Sequence, residues 1–218
     1  MSPGRARFVT FEGLDGSGKS TQLATAAGWL ERQGIEVVRT REPGGTQLGS
    51  AIRSVFLDDR FGGMDGMVEL LLVAASRRQH LIEVIDPALA RGSWVLCDRF
   101  SDSTVAYQGH GRGVPLERIA AADQLATGGR RPDLTLLFDL AAEEARRRGQ
   151  SPRRVARRAI DRLDGEELVF YQRVREGFLA LAGREPQRFR IIDSAGDKGA
   201  TAAAVRQALA ELLAGEHR

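Results

Sequence analysis

Gly13-Leu14-Asp15-Gly16-Ser17-Gly18-Lys19-Ser20-Thr21 decides the fold. An apolar, β-branched run, Phe8-Val9-Thr10-Phe11, stands directly before it and reads as a buried strand. Gln22-Leu23-Ala24-Thr25-Ala26-Ala27-Gly28-Trp29-Leu30 follows with helical spacing. The spacing G-x-x-x-x-G-K-S between a strand and a helix is that of a phosphate-binding loop. Glycines let backbone N–H groups turn inward around a polyphosphate, and the opening helix adds the positive end of its dipole. Residues Gly13 to Thr21 are therefore expected to bind a nucleotide's phosphates: Gly13, Leu14, Asp15, Gly16, Ser17 and Gly18 by the loop, Lys19 by its charge, Ser20 and Thr21 at the helix start. The Ser20 hydroxyl is a candidate Mg²⁺ ligand. The chain has two lysines against thirty arginines, and one of the two is Lys19.

Outward from the loop, strand-like and helix-like segments alternate. Ile35–Thr40, Trp94–Cys97, Leu134–Phe138 and Phe189–Ile192 read as further strands. Between them, helices are expected through Ile52 and Phe56, over Val68–Leu89, Leu116–Thr127, Ala141–Arg148, Glu166–Ala182 and Ala200–Leu213. The long Val68–Leu89 helix is expected to carry Leu71, Ala75, Ile82, Ile85 and Leu89 near one face. Ser101 to Thr104 opens another helix, and Gly109, Gly111 and Gly113 read as a turn. Short strands separated by helices imply an α/β, P-loop NTPase-type three-layer sandwich, with a five-stranded parallel sheet and helices on both faces. Ligands of such sheets bind beyond the carboxyl ends of the strands. Gly13 to Ser20, Arg41, Asp98, Arg99 and the segment after Asp193 should thus face one crevice.

At 218 residues with 42% apolar content the chain suits one compact domain. A net charge of +3 fits phosphorylated small molecules and is too small to argue for a nucleic-acid surface. The single Cys97 excludes a disulfide framework within the chain and fits a reducing compartment. No apolar stretch reaches membrane-spanning length or stands before the first strand. The expectation is a cytoplasmic protein with no membrane or nucleic-acid partner. The chain contains no asparagine, so it lacks the N-K-x-D signature of guanine-reading GTPases. His80 and His110 have no metal-ligand spacing with a partner.

Two other strand ends carry charge: Arg41-Glu42-Pro43-Gly44-Gly45-Thr46 and Asp98-Arg99-Phe100. With the loop, with Ala74 to Leu81, with Ser101 to Gly113, with Arg131-Pro132-Asp133-Leu134 and with Asp161-Arg162-Leu163-Asp164, the chain resembles thymidylate kinases, specifically their bacterial branch. The resemblance runs in order from Phe8 to about Ala195. It implies that the γ-phosphoryl of ATP passes to dTMP, with Mg²⁺ as the metal, in a homodimer packed through the long helices. Two polyanions must approach each other, so such a site is mainly cations.

By that resemblance Lys19 and Mg²⁺ hold the ATP phosphates, with Asp98 helping to hold the metal through water. Arg99 would bridge acceptor and donor phosphates, Arg53 would clamp the monophosphate, and Asp15 would meet the sugar 3′-hydroxyl. Arg77 would bond the thymine carbonyl edge, Ser103, Thr104 and Gln108 would contact the pyrimidine, and Tyr107 would crowd the sugar 2′ position. Adenine is expected near Asp193 to Gly196. Branches of the family with a catalytic arginine in the phosphate loop have it at the position of Gly16. Here the cation should come instead from a mobile lid at about 146–160, dense in arginine, with Arg153, Arg154, Arg157 or Arg158 reaching the phosphoryl. The family usually has phenylalanine where this chain has Val73. Val73 is expected to offer only an apolar wall, with another aromatic, Phe100 being the candidate, contributing from elsewhere. Val73→Phe is then expected to lower the KM for dTMP. Alternatives are a kinase for another nucleoside monophosphate, or a P-loop nucleotide-binding protein without catalysis.

Overall fold

The computed structural model describes residues 6–149, 163 and 165–215. Five strands, β1 (Phe8–Gly13), β2 (Val37–Arg41), β3 (Trp94–Asp98), β4 (Leu134–Asp139) and β5 (Phe189–Asp193), form one sheet in the order β2-β3-β1-β4-β5. Every pairing is parallel. All five strands were legible from their apolar runs. The helices among the described residues are α1 (Lys19–Arg32), α2 (Gln47–Leu57), α3 (Gly66–His80), α4 (Asp86–Ala90), α5 (Ser101–Thr104), α6 (Leu116–Thr127), α7 (Ala142–Gly149), α8 (Leu168–Arg184) and α9 (Lys198–Leu213).

Alternating strand residues build two cores. Val9, Phe11, Leu96, Leu134, Leu136 and Phe138 pack on α1 and α9 through Leu23, Leu30, Val205 and Leu209. On the other face Phe8, Val95 and Cys97 meet Leu81, Ile85 and Ala88, while Leu137 and Phe189 meet Tyr107, Phe170, Val174 and Phe178. These are the three layers. The chain leaves β1 toward β2 on one side and crosses to β4 on the other, which puts the topological switch at β1, where the phosphate loop begins.

Two expectations need correction. Residues 66–90 do form a continuous helical stretch, α3 passing through a π-helical segment (Leu81–Ile85) into α4. Leu71, Ala75 and Ile82, however, face outward, Leu71 at 59% and Ile82 at 50% exposure. The buried stripe is Leu70, Val73, Ser76, Arg77, His80, Leu81 and Ile85, where polar side chains are paired rather than solvated. The 105–111 segment is not a turn: it continues α5 as a π-helix. Gly109 and Gly111 are there for close approach. A Cβ at Gly109 would lie 2.8 Å from Leu116, and one at Gly111 would lie 2.6 Å from the Phe170 ring.

Candidate active site

The phosphate loop is shaped by glycines at positive φ, Gly13, Gly16 and Gly18. Gly13 has φ +131°, and a Cβ there would sit 2.4 Å from the Phe138 carbonyl oxygen, so the loop can leave β1 against β4 only without a side chain. Gly16 has φ +92°, and its Cβ would meet the Ala145 carbonyl oxygen at 2.3 Å and the Arg148 Cβ at 3.2 Å. Helix α7 therefore lies directly on the loop, and the position has no room for any side chain. The Ser17 hydroxyl, within the loop, is buried with no hydrogen-bond partner among the described residues, and a bound phosphate oxygen would satisfy it. Lys19 is buried, its Nζ donating to the Leu14 carbonyl at 2.9 Å and lying 3.8 Å from Asp15. Burial, helped by the nearby Arg99 charge, pushes its pKa down to about 8.

Beside the loop the Ser20 hydroxyl donates to Asp98 Oδ2 at 2.6 Å. A hydroxyl and a carboxylate beside a phosphate loop are hard oxygen donors that suit Mg²⁺, which takes few protein ligands and keeps water and phosphate as the rest. The fit is sound.

Arg99 stands at φ +74°, a left-handed conformation unusual for a residue with a side chain. Such a residue costs on the order of 1–3 kcal/mol and persists only where its surroundings over-determine it. Here they do. Its own N–H donates to the Phe11 carbonyl at 3.1 Å, and its carbonyl accepts from Cys97 Sγ at 3.0 Å. The following N–H, of Phe100, donates to Glu12 Oε1 at 2.7 Å. The turn sends the guanidinium back under the loop, where it donates to Asp15 Oδ1, to the Ser103 hydroxyl and to the Tyr107 hydroxyl, each at 3.0 Å. It also lies 4.8 Å from the Tyr107 ring centre. Arg99 thus pairs with Asp15 and leaves Asp98 to Ser20.

Between the loop and helices α2, α3 and α5 opens a cavity. Asp15, Arg53, Val73, Arg77, Arg99, Ser103, Thr104, Tyr107 and Gln108 all line it, bringing together every acceptor-side residue expected from the sequence. Arg77 is almost wholly buried and donates from Nε to Glu42 at 2.8 Å, from Nη2 to Thr104 at 2.8 Å and from Nη1 to Asp123 at 3.2 Å. A guanidinium has five N–H groups, so two remain beyond those three bonds. Arg53 donates to the Pro43 carbonyl at 3.2 Å. Gln108 donates to the buried Glu69 at 2.8 Å and lines the cavity. Arg41 departs from expectation: its side chain lines a separate groove with Arg39, Thr46 and Gln47 on the open edge of the sheet.

A family model for thymidylate kinase matches residues 11–205. A curated thymidylate kinase of Chromohalobacter salexigens is 49% identical over 217 residues, 98% of this chain and 99% of that protein. One from Paraburkholderia phytofirmans is 50% identical over 88% of this chain and 91% of its own. The chain belongs to the thymidylate kinase family. The crystal structure of the thymidylate kinase from Ehrlichia chaffeensis superposes with a TM-score of 0.76 at 36% identity, covering 95% of this chain and 99% of that one. The family's reaction, phosphorylation of dTMP to dTDP with ATP as the phosphate donor, is accordingly the reaction of this chain.

Sequence reasoning missed several groups that line or brace this cavity. Glu12 is fully buried at the end of β1 and accepts from the Phe100 N–H and from the Ser103 hydroxyl, so it fixes both the backbone after Arg99 and one of its side-chain partners. Burial, reinforced by the Asp102 charge, raises its pKa to about 8. The only sequence signal was an acid inside an apolar strand. Glu42 bridges Arg77 and His80, accepting from His80 Nδ1 at 3.0 Å. Phe56 and Leu57 on α2, with Leu163, line the cavity beside Val73. Phe100 does not offer a ring face: it is fully buried, edge-on to Phe8 at 4.9 Å, with the Arg77 guanidinium 5.1 Å over it. The arginines Arg153, Arg154, Arg157 and Arg158 lie outside the described residues. Nearer the helix, Arg147 and Arg148 pair with Glu144, and Arg148 also donates to the carbonyls of Ser194 and Ala195, the segment expected to receive adenine.

Proposed function

We propose that the cavity beside the phosphate loop is the dTMP site and that phosphoryl transfer takes place between Lys19 and Arg99. One observation carries this reading: Arg99, turned back by its left-handed backbone, sits against Asp15 of the phosphate loop while also lining the cavity. A group bound there reaches both nucleotides' phosphates. The phosphoryl in flight carries charge on its equatorial oxygens, and catalysis is positioning plus cations. Gly13 to Thr21 and Lys19 hold the ATP phosphates, Arg53 holds the dTMP phosphate, and Arg99 neutralises the charge shared between them. Asp15 orients the sugar 3′-hydroxyl and keeps Arg99 in place. Arg77, Ser103, Thr104 and Gln108 address the base, with Val73 as an apolar wall and Tyr107 beside the sugar. Mg²⁺, held by Ser20 and through water by Asp98, would supply further charge neutralisation on the ATP phosphates.

The cation absent at Gly16 comes from the 146–160 lid, from Arg153, Arg154, Arg157 or Arg158. Support comes from the contact of α7 with Gly16, which leaves the loop itself no space for an arginine. The whole chain acts as one nucleoside monophosphate kinase domain. It works as a cytoplasmic homodimer: Val68, Leu71 and Ile82 give the long helix an exposed apolar face suited to a second copy, and one buried cysteine suits a reducing compartment. The test is ATP consumption with dTMP, dUMP, UMP, CMP, AMP and GMP offered singly, for the native chain and for Arg53→Ala. The reading requires preference for dTMP and a raised KM for dTMP, with little change in the KM for ATP, in the variant. An Arg53→Ala enzyme with a native KM for dTMP would overturn it.

A further inference from the structure

A buried carboxyl joins the end of β1 to the end of β3. Glu12, the residue before the first glycine of the phosphate loop, is fully buried and does not line the cavity. Its Oε1 accepts from the Phe100 N–H at 2.7 Å, and its Oε2 accepts from the Ser103 hydroxyl at 2.5 Å. The same hydroxyl accepts from Arg99 Nη1 at 3.0 Å. A guanidinium has only donors, so the order of the relay is set: Arg99 donates to Ser103, and Ser103 donates its one hydrogen to Glu12. The Arg99 fork has two other holders, Asp15 Oδ1 and the Tyr107 hydroxyl, each at 3.0 Å. Both line the cavity, where a bound nucleotide competes for them. Through Ser103 the fork is tied instead to a group that no ligand touches.

We propose that Glu12 and Ser103 are positioning residues for phosphoryl transfer: Glu12 holds the Arg99 turn through the Phe100 N–H and the Arg99 fork through Ser103. The inference rests on the assignment of Arg99 to the transferring phosphoryl. The turn needs such a brace, because Arg99 keeps φ +74° only while its surroundings over-determine it. A brace from β1 has a further consequence. Glu12 is covalently continuous with Gly13, so the residue that holds Arg99 also starts the loop that holds the donor phosphates. The guanidinium and the loop therefore keep their spacing before either nucleotide binds, and little reorganisation is left for the reacting complex. Ser103, expected from sequence at the pyrimidine, gains a second duty that shows in the rate at saturation rather than in dTMP binding.

The experiment compares Ser103→Ala and Glu12→Gln, each alone and each combined with Arg99→Ala, with Arg99→Ala itself as the reference. The readouts are the single-turnover rate of phosphoryl transfer with both nucleotides saturating, the KM for dTMP and the KM for ATP. Ser103→Ala removes the relay, and Glu12→Gln must turn round or break one of its two bonds, because an amide accepts at one end only. Each should lower the saturated rate about 10- to 100-fold, the range expected when a reacting group is displaced by up to about 1 Å, with the KM for ATP near native. In the Arg99→Ala background neither should lower it further, since there is no fork left to position. A raised KM for dTMP with a native saturated rate in Ser103→Ala would make the serine a base contact only and overturn the proposal. So would an equal fall with and without Arg99, the mark of general disruption. If Arg99→Ala itself keeps a native saturated rate, the assignment of Arg99 to the phosphoryl fails instead. Should Glu12→Gln not fold, Ser103→Ala, at a partly exposed position, decides by the same comparison.

Discussion

Replacing Glu42 separates the charge of this residue from its hydrogen bonds, and the structure allows both effects to be sized. Both carboxylate oxygens are used: Oε2 accepts from Arg77 Nε at 2.8 Å, and Oε1 accepts from His80 Nδ1 at 3.0 Å. His80 in turn shares a 2.6 Å hydrogen bond between Nε2 and the Thr40 hydroxyl. In Glu42→Gln the amide oxygen can keep the Arg77 bond while the NH₂ faces His80, which answers by taking the tautomer protonated on Nε2, with Thr40 as acceptor. Every bond survives and only the charge is lost. A hydrogen bond to a charged pair is worth about 1.5–3 kcal/mol against about 1 for a neutral one, so the loss is about 0.5–2 kcal/mol. For a chain of this size that is a fall in Tm of roughly 1–8 °C. Glu42→Leu also removes the bonds and leaves a buried guanidinium and imidazole short of a partner, costing about 3–5 kcal/mol. Asp123, which still pairs with Arg77, holds the figure toward the lower end. Because the neighbouring Pro43 carbonyl receives Arg53, both variants should raise the KM for dTMP more than they lower kcat. Thermal melts and steady-state kinetics check this. Equal destabilisation by glutamine and leucine, or a native KM for dTMP in both, would refute the reasoning.

Three further outcomes are expected. Glu12 carries a folded pKa of about 8 against an ordinary 4.5, so the folded state holds the proton more tightly; this contribution to stability is fully present below 4.5 and is lost as pH rises through 8. Glu12→Gln lacks that titration, so denaturant unfolding at about pH 6 and about pH 9 should show the variant gaining on the native protein at the higher pH; a gain at the lower pH contradicts the assignment. Gly16→Ala combines about 1–2 kcal/mol of left-handed backbone strain with a clash against the Ala145 carbonyl, so α7 must lift from the loop, the melting temperature must fall and the KM for ATP must rise. Arg99→Lys keeps the charge but not the fork that meets Asp15, Ser103 and Tyr107 together, and kcat should fall about 10²–10³-fold with a near-native melting temperature.

The sheet was legible because each strand is a short apolar run between helical segments, and parallel pairing follows from that alternation. The acceptor residues were legible only as a pattern already known from related enzymes, and the cavity gathers them. What composition and periodicity could not reveal was which polar residues are buried. Arg77 and His80 look like solvated helix residues until Glu42 is seen beneath them, while Leu71 and Ile82 look like core and face outward. Gly109 and Gly111 read as turn residues because local chemistry says nothing about the distant Phe170 and Leu116 that require them. Phe56 was overlooked for the same reason: its partnership with Val73 joins two helices and exists only in three dimensions.

The central claim is that cations at the carboxyl ends of β1 and β3 hold two nucleotides with their phosphates facing. A crystal structure with adenosine and thymidine joined through a phosphate chain tests it most directly. The account predicts phosphates running from the Gly13–Thr21 loop past Lys19 and Arg99 to Arg53, with thymine in the cavity beside Arg77. Thymidine bound anywhere else, or a phosphate chain that bypasses Arg99, would contradict it.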